Sequence, residues 1–457
     1  MTGKAGTREG SLEAPTRHPI DWQNPAFYDE AALEKELERV FDICHGCRRC
    51  FALCNAFPTL FDAIDATGSG ELEGVDKRVF QDVVDHCYLC DMCFLTKCPY
   101  VPPHPFNVDF PHLMLRAKAV KAKKGGTRFR DRLLTSTGTV GALAGIPVIA
   151  EVVNAVNGTK AGRAVLEKTL GVDRTAPLPK YHSRTGRARA RAQVARSLRN
   201  GTLAVTPTEA TRGKVALFVT CYGNRNETAL PEDLVAVFAH NGIPVTVVGS
   251  EKCCGMPKLE LGDLETVARY KEANIPRLKG LVDAGHDLVA PIPSCVLMFK
   301  QELPLMFAGD ADVKAVGEAM FDPFEYLMLR HKAGLLRTDF KGSLGKVSYH
   351  VPCHLRVQNI GLKTRDLLRL VPGTTVDVIE RCSGHNGTYA VKKEYRAASM
   401  KIGKPVIERV ANAAADHYSS DCPMAGHHIA QGMAQAGTPA KAVQHPLSLV
   451  RLAYGME

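Results

Sequence analysis

Several common functional signatures are missing from this 457-residue sequence. No G-x-G-x-x-G opens a strand–turn–helix unit, which excludes an evident flavin or nicotinamide site, and no G-x-x-x-x-G-K-[ST] loop cradles phosphates. Residues 1–22, MTGKAGTREGSLEAPTRHPIDW, hold no apolar run of the kind a secretory leader needs. Tryptophan occurs once, and cysteine is absent from residues 99–220. What is present is ordinary for a globular chain: 45% hydrophobic and 23% charged residues, which excludes a disordered or fibrous protein. At roughly 100–200 residues per domain the length suggests about three domains. Cysteine is the exception, with 15 in all. An odd count without a leader argues against a disulfide scaffold and for thiolates kept reduced in the cytoplasm.

Eight of the 15 lie between residues 44 and 98. Cys44, Cys47, Cys50 and Cys54 are spaced C-x2-C-x2-C-x3-C; Cys87, Cys90, Cys93 and Cys98 are spaced C-x2-C-x2-C-x4-C, followed by Pro99. Such a loop offers three thiolates to one iron–sulfur cluster, and in two-cluster ferredoxins the fourth ligand comes from the other motif. The spacing therefore assigns Cys44, Cys47, Cys50 and Cys98 to one [4Fe–4S] cluster and Cys87, Cys90, Cys93 and Cys54 to a second. Structural zinc is the competing reading, but zinc has no use for the third cysteine of each loop. Asn55, rather than proline, follows Cys54. Around these motifs, Asp29 can cap a helix carrying Leu33, Leu37, Val40 and Phe41 on one face, and Val79–Asp85 reads as a second helix. The intervening FDAIDATGSGELEG reads as a loop.

The other seven cysteines form two matching sets. KVALFVTC (Cys221), EKCCG (Cys253, Cys254) and PSCVLM (Cys295) are echoed by KVSYHVPC (Cys353), ERCSG (Cys382) and SDCPMA (Cys422). The steps are 32 and 42 residues in the first set and 29 and 40 in the second, which marks an internal duplication. Each copy reads as α/β. In the first, strands are expected at 215–220, 245–248 and 288–292, with helices at 232–240 and 264–284. The cysteines then fall just past strand ends, where ligands collect in open α/β sheets. Gly255 and Gly384 are expected to let the backbone approach a bound group closely.

On these motifs, and on YHVPCH, ERCSGHNGTYAVKKEY and the terminal HPLSLVRLAYG, the chain resembles a family of iron–sulfur oxidoreductase subunits. That family includes the C subunit of anaerobic glycerol-3-phosphate dehydrogenase, the D subunit of heterodisulfide reductase and the iron–sulfur subunit of glycolate oxidase. The likeness extends to heterodisulfide-reductase-related proteins encoded beside rubrerythrin. It implies cubane clusters that relay electrons and CCG-type repeats that bind a non-cubane cluster through five cysteines. This sequence departs from the five-cysteine pattern. Met298 stands at the last position of repeat one, leaving Cys221, Cys253, Cys254 and Cys295; Ser383 and Ala425 leave repeat two with Cys353, Cys382 and Cys422. The first set can still complete a third metal or iron–sulfur site. In the second, a site with one open position for His354, His385, water or substrate, an iron or zinc site, and a degenerate structural repeat all remain open. His417 and His445 read as structural.

Residues 116–132 carry eight Lys/Arg against Asp131, and residues 180–199 carry seven and no acid. Together they hold +14 of a net +10, leaving the rest of the chain at about −4. They bracket LLTSTGTVGALAGIPVIAEVVNAVN at 133–157, whose first 18 residues are uncharged. Pro147 and Glu151 argue against a membrane span. An amphipathic element lying on an anionic leaflet and a segment packed against the protein are the two readings. Nucleic-acid binding is not expected, because no binding module accompanies the basic stretches.

The sequence thus predicts an α+β protein: a helical ferredoxin-type domain with two [4Fe–4S] clusters (1–115), a basic linker (116–212), and two α/β cysteine-rich repeats (213–335 and 336–457). The expected function is electron transfer within an oxidoreductase complex, in the cytoplasm or peripherally on the cytoplasmic face of the inner membrane. Partners implied by the resemblance are a flavoprotein dehydrogenase, a rubrerythrin-like protein or a quinone. The alternative is a thiol/disulfide reductase acting at Cys253, Cys254, Cys382 or His385.

Overall fold

The computed structural model describes residues 14–96, 98–199, 201, 203–438 and 442–456. Of the polar N-terminal stretch 1–22, residues 1–13 therefore lie outside the described residues. Two compact units emerge, one of residues 1–127 with Leu259–Leu264 and Leu305–Phe307, the other of the remaining chain.

Among the described residues, the first unit is helical. α1 (Glu30–Cys47) starts where the Asp29 side chain accepts a hydrogen bond from the Ala32 amide, and it buries Leu33, Leu37, Val40 and Phe41. α2 (Ala56–Asp65) buries Phe57, Leu60, Phe61 and Ile64, a helical spacing that carries the chain to Asp65. The loop expected from Phe61 thus begins only after Asp65; its first five residues are helix because their apolar members continue the buried face. α3 (Arg78–His86), α4 (Met92–Thr96) and α5 (Phe110–Lys123) complete the unit, and α5 runs through the expected 115/116 boundary. Phe41 meets Phe80 edge-on at 5.0 Å, and Phe57 meets Phe110 at 4.8 Å, forming the core that seats the cysteine loops. The Trp22 indole donates to the Met306 carbonyl at 3.1 Å.

The second unit opens with helices: α6 (Phe129–Thr135), α7 (Thr137–Ala144), α8 (Ile149–Gly158), α9 (Lys160–Leu170) and α10 (Gly186–Arg199). The stretch expected as a basic linker is therefore largely helical. Two four-stranded parallel sheets follow. β1 (Val215–Leu217), β2 (Val245–Val247), β3 (Asp287–Val289) and β4 (Met320–Phe321) lie in the order β2-β1-β3-β4. β5 (Lys346–His350), β6 (Thr375–Ile379), β7 (His417–Ser420) and β8 (Val443–Gln444) lie in the order β6-β5-β7-β8. The orders are the same, as a duplication requires. Val215 aligns with Val245 on one side and Asp287 on the other. The third strand is shorter than expected: Ala290–Ile292 leave the sheet and lead into the short helix Pro293–Leu297 that presents Cys295. No single helix among the described residues is long and apolar enough to cross a membrane.

Candidate metal centres

The eight N-terminal cysteines gather into two neighbouring sets. Cys44, Cys47, Cys50 and Cys98 line one cavity, walled also by Phe57, Phe61 and Val108. α1 delivers Cys44 and Cys47 from its last turn, and Arg48 then closes the helix in the left-handed region at φ 51°. Burial pushes the Cys44 thiol well up, and the charges of Cys98, Cys50 and Cys47 add to it. Cys93 is likewise pushed well up by burial and then by Cys90, Cys50, Cys87 and Cys54. Burial also raises Cys87, against the opposing pull of the Lys118 ammonium, which donates to the Cys87 carbonyl. Thiols so crowded and so dry cannot ionise together unless a cation neutralises them. The donor set and the thiol-lined cavity therefore fit an iron–sulfur cluster with thiolate ligands.

His45 and His86, beside first ligands in sequence, have other partners. His45 Nδ1 lies 2.8 Å from the Arg48 guanidinium, and His86 Nε2 lies 3.1 Å from the Asn55 amide nitrogen.

In the second unit, the cysteines sit beyond the carboxyl ends of the strands. β1 and β3, and correspondingly β5 and β7, flank the point where the strand order reverses. Thr220, at φ 68°, turns the chain sharply out of β1, and its hydroxyl accepts from the Gly223 amide. A β-branched residue there is strained and fixes the direction of Cys221. Cys221 donates to Cys253 across 3.8 Å. Cys254 is hydrogen-bonded to both Cys253 and Cys295, so the four thiols form one continuous chain. Hydrogen bonds from Cys221 and Cys254 hold Cys253 well below the usual thiol range, and the same bonds with burial push its two partners up. Met298, at the fifth-cysteine position, is fully buried. A Cβ built on Gly255, at φ 109°, would come within 3.3 Å of the Met298 methyl.

The second repeat is looser. Cys382 contacts the Asn386 side-chain oxygen at 3.5 Å and receives the Gly384 amide at 3.3 Å. The Cys422 thiol, pushed up to about 11 chiefly by burial, is within electrostatic reach of Cys295. His354 Nδ1 lies 2.8 Å from the Ser294 hydroxyl, so this candidate ligand is joined to the residue preceding Cys295. His385 is buried with neither ring nitrogen hydrogen-bonded, and burial lowers its pKa to about 4. Gly384, at φ 78°, packs closely against a helix: a Cβ there would lie 2.1 Å from the Ser399 carbonyl oxygen. His445 caps the helix Pro446–Ala453, accepting from the Leu447 amide and donating to the Asp421 carbonyl. His417 lies 2.6 Å from the Gln444 side-chain oxygen. Among the described residues, no three His, Cys, Asp or Glu side chains converge as the shell of a single metal ion requires.

Thr137 was not among the expected site residues. Its hydroxyl lies 3.2 Å from the Cys221 sulfur and 3.6 Å from that of Cys253. Lys258, buried nearby, anchors the preceding turn by donating to Thr135 and Ser136 hydroxyls at 3.0 and 3.1 Å.

The profile of the CCG family, described as a cysteine-rich domain, matches residues 215–300 and 347–429. The C subunit of anaerobic glycerol-3-phosphate dehydrogenase from Escherichia coli K12 is 28% identical over 322 residues, covering 70% of this chain and 76% of that protein. Lactate utilization protein A of Bacillus cytotoxicus is 30% identical over 217 residues, 46% of this chain and 87% of its own length. The chain belongs to the iron–sulfur oxidoreductase family built on CCG domains. The B subunit of the CoM/CoB fumarate reductase of Methanothermobacter marburgensis is a further member, 24% identical over 246 residues, 53% of this chain and 46% of its own. Family membership agrees with the doubled cysteine-rich sheets.

Proposed function

We propose that this CCG-family chain is the electron-transfer subunit of an oxidoreductase complex. The observation that carries the reading is the cavity lined by Cys44, Cys47, Cys50 and Cys98, thiols from both halves of the N-terminal cysteine block. Those four residues would hold one [4Fe–4S] cluster, and Cys87, Cys90, Cys93 and Cys54 a second. Such clusters supply reversible one-electron transfer when bound. The chain's own work is to exclude water with Phe57, Phe61 and Val108 and to keep the thiols desolvated. Cys221, Cys253, Cys254 and Cys295 would hold a third iron–sulfur group. With no nucleotide signature of its own, the chain needs a protein that delivers or takes electrons, and a flavoprotein dehydrogenase or a rubrerythrin-like protein suits that role. Anaerobically purified protein should contain about eight irons and eight labile sulfides for the N-terminal sites. Stoichiometric zinc without labile sulfide would reject the reading.

A second reading is favoured by the Cys221–Cys253–Cys254–Cys295 thiol chain, in which hydrogen bonds from Cys221 and Cys254 lower the Cys253 thiol. There the chain would reduce a disulfide, R–S–S–R′ taking two electrons from the redox partner and two protons to leave two thiols. Replacing Cys254 by alanine should abolish disulfide turnover while leaving the N-terminal iron content unchanged.

A further inference from the structure

The bend between α7 and α8 carries an apolar surface that none of the described residues covers. Val148 is 73% exposed, Leu143 61% and Val152 56%, with Ile146, Ile149 and Val156 each above 40%. The two helices meet at 105° around Ile146–Val148, and Val148 adopts φ 71°, a conformation that β-branched residues avoid. Ile149, Val152 and Val156 follow at helical spacing, so the tip and the outer face of α8 form one continuous patch. With eight and ten residues the helices are roughly 12 and 15 Å long, too short to cross the ~30 Å hydrocarbon layer.

Positive charge flanks the patch. Lys180 and Arg184 are exposed, and neither forms an ion pair among the described residues, against one exposed acid, Glu151, in α8. Lys180 and Arg184 are held alongside α8 because the Asn154 side chain both donates to the Tyr181 carbonyl at 2.8 Å and accepts from its amide at 2.9 Å. An apolar wedge flanked by cations is complementary to an anionic bilayer, whose headgroups attract the cations while its acyl boundary takes the wedge. A folded protein partner of acidic character would satisfy the cations but would need an apolar cleft for the Val148 tip.

We propose that the α7–α8 elbow is a membrane-interfacial anchor that inserts Leu143, Ile146, Val148, Ile149 and Val152 into an anionic leaflet. α7 begins at Thr137, whose hydroxyl touches Cys221 and Cys253, so the seated elbow holds the four-thiol site about one short helix, roughly 12 Å, from the lipid surface. The anchor does not depend on which group those thiols hold, and its test reads lipid alone.

The full chain should co-sediment with vesicles of equal phosphatidylglycerol and phosphatidylcholine. Its partition should fall at least tenfold on pure phosphatidylcholine or on raising salt from 0.05 to 0.5 M. V148D/I149D/V152D should reduce partition on the mixed vesicles by tenfold or more, and K180E/R184E should reduce it severalfold. As a measurement independent of those variants, Val148→Trp fluorescence should shift to the blue and be quenched by brominated lipid. Trp22 is buried in the other unit and supplies the unchanging background. Equal partition of the triple variant and the parent, absence of binding to the anionic vesicles, or a Val148→Trp emission already blue-shifted without lipid in a stable dimer would each overturn the proposal.

Discussion

The Thr137 hydroxyl lies 3.2 Å from the Cys221 sulfur, although 84 residues separate them in the chain. It also donates to the Cys253 sulfur, 3.6 Å away, so one hydroxyl contacts two neighbouring sulfurs. Thr137→Val keeps the shape and removes the hydrogen bond. The variant should lose about 1 kcal/mol of stability. It should also change the rate at which Cys253 is alkylated in chelator-treated protein. Unchanged alkylation would separate Thr137 from the thiol site.

Cys98 and Cys54 make a sharper pair. Cys98 lines the cavity of Cys44, Cys47 and Cys50, and Cys54 bears on Cys93. Cys98→Ser should disturb one low-temperature magnetic-resonance signal of the reduced protein and Cys54→Ser the other, with the double variant losing both. Identical spectra from the two single variants would refute the crossed assignment.

Removing metal should affect the two units differently. The first unit seats eight cysteines close together, with Cys44 and Cys93 pushed well up by burial and by neighbouring thiols, whereas the second rests on two parallel sheets with apolar cores. Chelator and oxygen together should therefore expose residues 44–98 to protease while 213–436 stays protected. Simultaneous loss of both regions would contradict this.

Buried titratable groups set a pH dependence. Burial lowers His350 to about 4 and His445 to about 3, from an ordinary 6.5. Between those values the unfolded chain binds protons that the folded one refuses, so stability falls as pH drops below 6.5. Asp322 is pushed the other way, up to about 8, by burial and the charge of Asp421. Its folded form keeps a proton that the unfolded chain has released above 3.8, so its contribution is lost as pH rises towards 8. The urea midpoint should therefore peak near pH 6.5. Asp322→Asn, which retains the oxygen that caps Phe324, should remove the decline on the alkaline side, and His350→Gln should soften the acidic one.

Gly384→Ala should destabilise by about 3 kcal/mol, since its Cβ would strike the Ser399 carbonyl at 2.1 Å and its φ is 78°. Thermal unfolding measures it, and a shift below one degree would contradict the packing described.

What was legible in advance was whatever is written locally. The α1 face of Leu33, Leu37, Val40 and Phe41 follows from spacing, and the doubled sheet order follows from the doubled cysteine pattern. The reach of α2 to Asp65 was hidden by the neighbouring glycines, although Phe57, Leu60, Phe61 and Ile64 carry the helical signal. Thr137, Ser294 beside His354, and Cys422 beside Cys295 left no sequence trace. Each is an approach between distant segments, and no periodicity records those. The exposure of Val148 was likewise undecidable from pattern, because an amphipathic stretch is the same string of letters whether its apolar face meets protein or solvent.

The two sheets repeat one strand order, yet one keeps four thiols at its reversal point and the other three. Each sheet is held by its own pairings, so the thiols of one copy are not needed to build the other. The strand pairings thus leave each copy able to carry its own donor set, with Met298 in one and Ser383 and Ala425 in the other, and the three-thiol copy buries His385 with neither ring nitrogen hydrogen-bonded.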